Sequence, residues 1–131
     1  MPNVQFLIAG TAAEEYQPLP ENVQALGWVK DMDKVYERTH VAVRIPEHDG
    51  LSTFILESLA RGKEVIYKYS FDHCHSCTNE KELTLRIKDL EEKFKRGEWE
   101  LNSEGIHFIA KEFNRKRILG NLLMKIRQIA K

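Results

Sequence analysis

The chain has 131 residues, of which 42% are hydrophobic, so it is long enough for one domain with a core and too short for two ordinary domains. Its 20 basic and 20 acidic side chains cancel, which argues against a protein that coats a nucleic acid or an anionic membrane. No stretch approaches the roughly 20 apolar residues of a membrane span, and no basic leader precedes the N-terminal apolar run. We therefore expect a single cytoplasmic domain over residues 1–131, with no nucleic-acid partner and no integral membrane segment.

Two strands are predicted at the start of the chain. Residues 4–9 form a continuous apolar run that ends at Gly10 and Thr11, which is typical of a strand buried on both faces of a parallel sheet. A loop with two prolines and no helical period follows, and residues 23–29 predict the second strand. Gly10 and Thr11 are either a plain strand exit or a place where a ligand approaches the backbone.

Strands and helices alternate through the middle of the chain. Asp31 is placed to cap a short helix with one apolar side, and Ser52 or Thr53 to begin another that Gly62 ends. The later elements are predicted as a strand over 41–45, a helix over 54–61, a strand over 65–69, and helices over 79–95, 103–113 and 114–130, the last three capped by Thr78, Ser103 and Asn114.

This alternation predicts an α/β fold, a Rossmann-like parallel sheet flanked by helices. Ligands of open parallel sheets bind outside the carboxyl ends of the strands. The loops after Gly10, Trp28 and Ile45 all open at that edge, so we expect the functional site there.

A pair of acids around a glycine marks the loop that follows the third strand. Asp49 lies in this loop, and Glu57 lies eight positions later, a little over two helical turns, on the helix itself. Residues 50–53, which are Gly50, Leu51, Ser52 and Thr53, would offer free backbone N–H groups at the helix N-terminus, where a phosphate is favoured. A phosphate cradle flanked by acids predicts a site for a nucleotide sugar.

Each of these residues also has an ordinary structural interpretation. Asp49 and Gly50 are compatible with a common turn, and Glu57 with a solvated helix position. Arg44, in an otherwise apolar strand, either pairs near the strand end or reaches the cleft and supplies positive charge. His48 either hydrogen-bonds a sugar hydroxyl or is a surface histidine held by its neighbour.

Residues 27–67 resemble the nucleotide-sugar-binding half of a GT-B retaining glycosyltransferase of family 4, a fold of two Rossmann-like domains facing across a cleft. Residues 19–29 resemble the family's strand leading into a glycine and an apolar residue that contacts the base, here Gly27 with Trp28 and Val29. The spacing of Asp49 and Glu57 resembles the family's Glu-x7-Glu motif, with aspartate at the first position.

The resemblance implies a role for each matching residue. Glu57 would bind the ribose hydroxyls, Asp49 would contact the donor sugar, and the amides of residues 51–53 would hold the diphosphate. The reaction implied is transfer of a sugar, with retention, from a nucleoside diphosphate sugar to an acceptor. No cofactor and no metal is expected.

The chain departs from the family pattern in three places. The first strand and its arginine- and lysine-bearing loop, a glycine pair after the fourth strand, and the acceptor-binding domain are all missing. The absent strand would lie in the middle of the sheet, so residues 4–9 must pair directly with residues 41–45 or leave backbone groups open to another chain. We therefore expect half of an enzyme, inactive alone, which associates with an N-terminal-half protein or as a homodimer. The alternative is a non-catalytic nucleotide-binding or regulatory module.

A competing signal lies at residues 73–77, where two histidines and two cysteines crowd into five positions. A tetrahedral zinc site normally pairs one close-spaced duo with another further along, and the chain has no other cysteine. A short strand with alternating faces is the preferred interpretation. The Cys74-x-x-Cys77 spacing also resembles a thioredoxin-type redox pair, but the chain has no proline after Pro46 to supply that fold's cis-proline.

Overall fold

The computed structural model describes residues 3–10, 17–48, 50 and 52–130, so the predictions for Thr11, Asp49 and Leu51 lie outside the described residues. Short parallel sheets flanked by helices make up a mixed α/β structure, consistent with the Rossmann-like class expected from the sequence. In chain order the elements are β1 (Phe6–Ala9), β2 (Val23–Gly27), α1 (Met32–Glu37), β3 (Val41–Arg44), α2 (Thr53–Ala60), β4 (Glu64–Tyr67), β5 (His75–Ser76), α3 (Glu80–Lys95), α4 (Ser103–Glu112) and α5 (Arg115–Ile129).

The described strands form two sheets rather than one. β1 pairs with β2, β3 pairs with β4, and β4 pairs with β5, and all three pairs are parallel. Among the described residues no ladder joins β1 to β3. Of the two arrangements that the sequence left open for the first strand, direct pairing with the strand over 41–45 is therefore not the one observed.

β4 is the centre of the core because it packs on both of its faces. Val65 and Tyr67 point to one side with Ala42 of β3, and there they meet Ile55 and Leu59 of α2. Ile66 points to the other side, where it packs with Cys77 and Leu90 of α3. This alternation agrees with the apolar run from which the strand was predicted.

Asn102 joins three segments at the start of α4. Its side-chain oxygen accepts a hydrogen bond from Gly105 N (3.0 Å), and its Nδ2 donates to the carbonyl oxygens of Lys63 and His73 (3.3 Å each). Its backbone N–H donates to Gly62 O (2.9 Å), and Gly62 has the positive φ of +73° that ends α2. Asn102, rather than Ser103, is thus the residue that caps α4.

The cap of α3 also differs by one residue from the expected one. Asn79, not Thr78, accepts from the third N–H of the helix, on Glu82 (2.9 Å). Glu82 Oε2 in turn accepts from Thr78 N (2.7 Å) and Thr78 Oγ1 (3.1 Å), so three hydrogen bonds that involve side chains fix the helix start. Asn114 caps α5 as expected.

Helix α5 lies outside the core. It has no buried residue, and its described contacts with the preceding helix are made by Arg117, which donates to Lys111 O (3.2 Å) and pairs with Glu112 (3.1 Å). Large apolar side chains are exposed along it at Ile118, Leu119, Leu122, Leu123, Met124, Ile126 and Ile129. None of the described helices combines the length and apolar character needed to cross a bilayer.

Candidate functional site

The carboxyl ends of three strands border one cavity. Gly10 follows β1, Trp28 and Val29 follow β2, and Arg44 ends β3, and all four residues line a cavity of about 1110 Å³. Gly10 N donates to Gly27 O (2.8 Å), which holds the ends of β1 and β2 together. The structure therefore brings together four of the residues that the sequence predicted for the site.

Trp28 lines this cavity, yet its side chain is 79% exposed. A large aromatic ring left in water beside a cavity offers a flat face on which a planar ring can stack. Val29, next to it, is half-buried. This pair occupies the place where the sequence predicted contact with a base.

Three side chains at the carboxyl end of β4 donate hydrogen bonds that fix the loop between β3 and α2. Tyr67 Oη donates to Gly50 O (3.2 Å), and Lys68 Nζ and Tyr69 Oη both donate to Glu47 O (3.3 and 3.1 Å). These hydrogen bonds were not predicted from the sequence. A Tyr-Lys-Tyr run at the carboxyl end of the strand next to β3 was the signal that pointed to them, because that end faces the β3 loop.

The N-terminus of α2 presents backbone donors, and the first turn of the helix contains no acidic residue. Ser52 is extended (φ −77°, ψ 124°), makes no side-chain capping bond, and is followed by a first turn that contains no acid. Its carbonyl accepts the first helical bond, from Leu56 N (3.3 Å), so the amides of residues 53–55 have no acceptor within the helix. The Ser52 side chain is buried, whereas Thr53, Gly50 and His48 are exposed.

Glu57 lies on the exposed side of α2 and contacts α1. Its Oε2 accepts a long hydrogen bond (3.4 Å) from Tyr36 Oη, and burial together with the nearby Glu57 raises the pKa of Tyr36 above its ordinary value. Arg61 lies 4.3 Å over the Tyr36 ring and pairs with Asp33, whose hydrogen bond raises the pKa of Arg61. The contact between Tyr36 and Glu57 was not predicted from the sequence.

The histidine and cysteine residues at 73–77 separate rather than converge. His75 Nε2 lies 2.9 Å from Glu64 Oε2, Cys77 is buried against Ile66, and burial raises the pKa of Cys74 to about 12. A thiol with that pKa supplies almost no thiolate, the form that binds metals or reacts. Within the described part of the chain, no group of three or more His, Cys, Asp or Glu side chains is placed to hold a metal ion. The expected short strand is present as β5.

We expect Glu64→Gln to destabilise the protein by about 1–2 kcal/mol at neutral pH, because it removes the charged hydrogen-bond partner of His75. His75 lowers the pKa of Glu64 in the folded protein, outweighing burial. The stabilisation by the Glu64–His75 contact is therefore present above the pKa of glutamate in the unfolded chain, about 4.3. It is lost as the pH falls through the lower pKa that Glu64 has in the folded protein. Denaturant unfolding from pH 7 to pH 3 measures this. The gap between the two proteins should close at the acid end.

The matched control is Glu98→Gln, which removes an exposed carboxylate paired with Arg96 (3.1 Å). That change should cost about 0.5 kcal/mol or less, since both partners face water. A gap between Glu64→Gln and the unmodified protein that stays constant down to pH 3 would contradict the role given to the His75 contact.

Comparisons with protein-family models, with curated proteins and with solved structures find no match for this chain. The interpretation of the cavity consequently depends on its geometry and on the sequence motifs around it. Of the residues predicted for the site, Gly10, Trp28, Val29 and Arg44 share the cavity wall, Ser52 is the N-cap of α2, and Thr53 and Glu57 lie on α2.

Proposed function

We propose that this chain is the nucleotide-sugar-binding domain of a retaining glycosyltransferase and takes a nucleoside diphosphate sugar beyond the carboxyl ends of β1, β2 and β3. The observation that carries the proposal is the shared cavity wall of Gly10, Trp28, Val29 and Arg44. Three strand ends contribute to it, at the edge where parallel sheets bind ligands. The cytoplasmic location predicted from the sequence belongs to the same proposal.

Each part of the ligand has a chemically suitable group in this proposal. The base stacks on the exposed ring of Trp28, the diphosphate takes the first-turn amides of α2 and the charge of Arg44, and Glu57 accepts hydrogen bonds from the ribose hydroxyls. The long 3.4 Å bond from Tyr36 leaves Glu57 exposed to such a ligand. Asp49 is assigned to the donor sugar through the family resemblance alone.

Sugar transfer further requires an acceptor held against the anomeric carbon. We place the acceptor-binding wall on a partner, either an N-terminal-half protein or a second copy of this chain, and expect no transfer by the isolated domain.

A non-catalytic binding module is the second candidate. The exposed apolar residues of α5 favour it, because a surface of that kind suits contact with another protein.

The test is a titration followed by NMR, with uridine, guanosine and adenosine diphosphates and their sugar conjugates. We expect weak binding, near the millimolar range, with shifts at the amides of Ser52 and Thr53 and at the Trp28 indole. Glu57→Gln should weaken binding about tenfold while leaving the unfolding temperature nearly unchanged, since the side chain is exposed.

Two further variants separate the role of Glu57 from its neighbours. Tyr36→Phe removes the contact with Glu57 but keeps the carboxylate, so binding should persist. Glu37→Gln, at the exposed end of α1, controls for the loss of one negative charge. The site proposal fails if no nucleotide shifts Ser52 or Thr53, or if Glu57→Gln and Glu37→Gln bind alike. Sugar transfer that appears only with an added partner would favour the enzyme over the binding module.

A further inference from the structure

The same cavity runs the length of two strand edges. It is lined by every residue of β1 from Phe6 to Ala9, and by consecutive residues 41–43 of β3. Within the described residues, β1 has a ladder only with β2, and β3 has one only with β4. The cavity therefore lies between two strand edges that face each other without a ladder.

Both faces of this gap are closed by apolar side chains. On the side to which Ala42 points, Phe54 packs against the core and stacks with Tyr36 of α1 (6.1 Å between ring centroids). On the side to which Val41 points, the gap is covered by Ile87 and Trp99. The gap is bordered by the edge of β1 on one side and by the edge of β3 on the other, and apolar side chains line both of its faces. Its shape therefore fits one additional strand.

We propose that this gap is a strand slot, which accepts one extended, apolar segment of a partner polypeptide and pairs it with β1 on one side and with β3 on the other. The connection from β2 to β3 passes through α1 and is of crossover length, so the inserted segment should run parallel to both neighbours. Edges of about four residues take a segment of about 13–20 Å.

The chemistry of the edges selects the occupant. Backbone N–H and C=O groups facing an apolar cavity are costly without partners, and only another backbone supplies donors and acceptors in alternation along both edges. A lipid chain would fill the space but satisfy neither edge. Because the slot is apolar above and below, the segment should be rich in valine and isoleucine at successive positions rather than alternating apolar and polar.

A second copy of the chain does not supply such a segment from its described residues. Each of the five described strands already pairs with a neighbour, so a described strand from another copy is free on one edge at most. The slot needs a strand that is free on both edges. None of the described strands meets this requirement, so the proposed occupant comes from outside the described residues, as an extended segment of a partner bound by strand addition.

The test uses a short synthetic peptide of valine and isoleucine flanked by lysines, added to the isotope-labelled protein without nucleotide. We expect amide hydrogen exchange to slow at least about tenfold in both β1 and β3, with no change at the outer edges of β2 and β5. The same peptide N-methylated at alternate residues cannot pair on one edge, and it should lose at least about tenfold in affinity. Leu7→Lys, which puts a charge at the slot, should also reduce binding, with Gln24→Lys on β2 as its control.

Four results would overturn the proposal: protection confined to one edge, equal binding of the N-methylated peptide, displacement of the peptide by a fatty acid at equal concentration, or protection of β1 and β3 by dimerisation without peptide. The peptide comparison uses the unmodified protein, so it remains decisive even where Leu7→Lys fails to fold. The slot and the proposed nucleotide site border the same cavity, and the test distinguishes them by the residues at which binding is read. Nucleotide binding is read at Ser52 and Thr53, and slot binding is read at β1 and β3.

Discussion

Replacing Leu59 with alanine should lower the free energy of unfolding by about 2–5 kcal/mol, a large part of the stability of a domain of this size. Leu59 is fully buried on the inner face of α2, beside Ile55 and against Val65 of β4. The truncation removes apolar contacts and leaves a cavity that a packed core closes only partly. Urea or thermal unfolding followed by circular dichroism measures the change.

The control for Leu59→Ala is Leu122→Ala on α5. Leu122 is 51% exposed, so the same chemical change should cost about 0.5 kcal/mol or less. Similar losses from the two variants would mean that α2 is not the helix that closes the core. The comparison also matters for function, because Ser52, Thr53 and Glu57 are positioned by α2. We expect Leu59→Ala to weaken nucleotide binding as well, without touching the ligand.

Gly105→Ala should destabilise the protein by about 1–3 kcal/mol, although alanine is the better helix former by about 1 kcal/mol. A Cβ at Gly105 would lie 2.8 Å from Asn102 Nδ2 and 3.1 Å from Leu59 Cδ2. The first distance is too short for any real contact, so Asn102 would have to leave its place. Its bonds to Gly105, Lys63 and His73 would be lost together.

Gly120→Ala is the control, and it should not lower the stability of the protein. A Cβ at Gly120 meets nothing within 4 Å, so the substitution in α5 should be neutral or raise helicity slightly. Thermal unfolding of the two variants, side by side, gives the result directly. If Gly105→Ala were as stable as the unmodified protein, the close packing of α4 against Asn102 would be wrong.

The sequence was sufficient for those elements whose signals are local. The apolar run of residues 4–9, the Asp31 and Asn114 caps and the glycine at 62 identify β1, α1, α5 and the end of α2 within a residue or two. These features depend on side chains a few positions apart, where periodicity and capping chemistry act. The preferred strand within residues 73–77 is confirmed for the same reason.

What the sequence could not supply depends on contacts between distant positions. Tyr36 and Glu57 are 21 positions apart, and their hydrogen bond follows from how α1 and α2 pack. The division into two sheets is similar, because nothing within residues 4–9 or 41–45 specifies which edge each strand leaves open. The predicted caps Thr78 and Ser103 each differ by one residue from the observed caps Asn79 and Asn102, since several hydrogen-bonding side chains compete at those helix starts.

The position of the two cysteines has a practical consequence for labelling the protein. Cys77 is buried, and the Cys74 thiol, with a pKa of about 12, is almost entirely protonated at neutral pH. Thiol-directed dyes react with the thiolate, so the natural chain should give little background labelling. A single cysteine introduced on the exposed helix α5 by Gln128→Cys would then carry one fluorophore. This position is far along the sequence from the strand slot and from the proposed nucleotide site. Fluorescence from that position could follow the arrival of a partner polypeptide in real time.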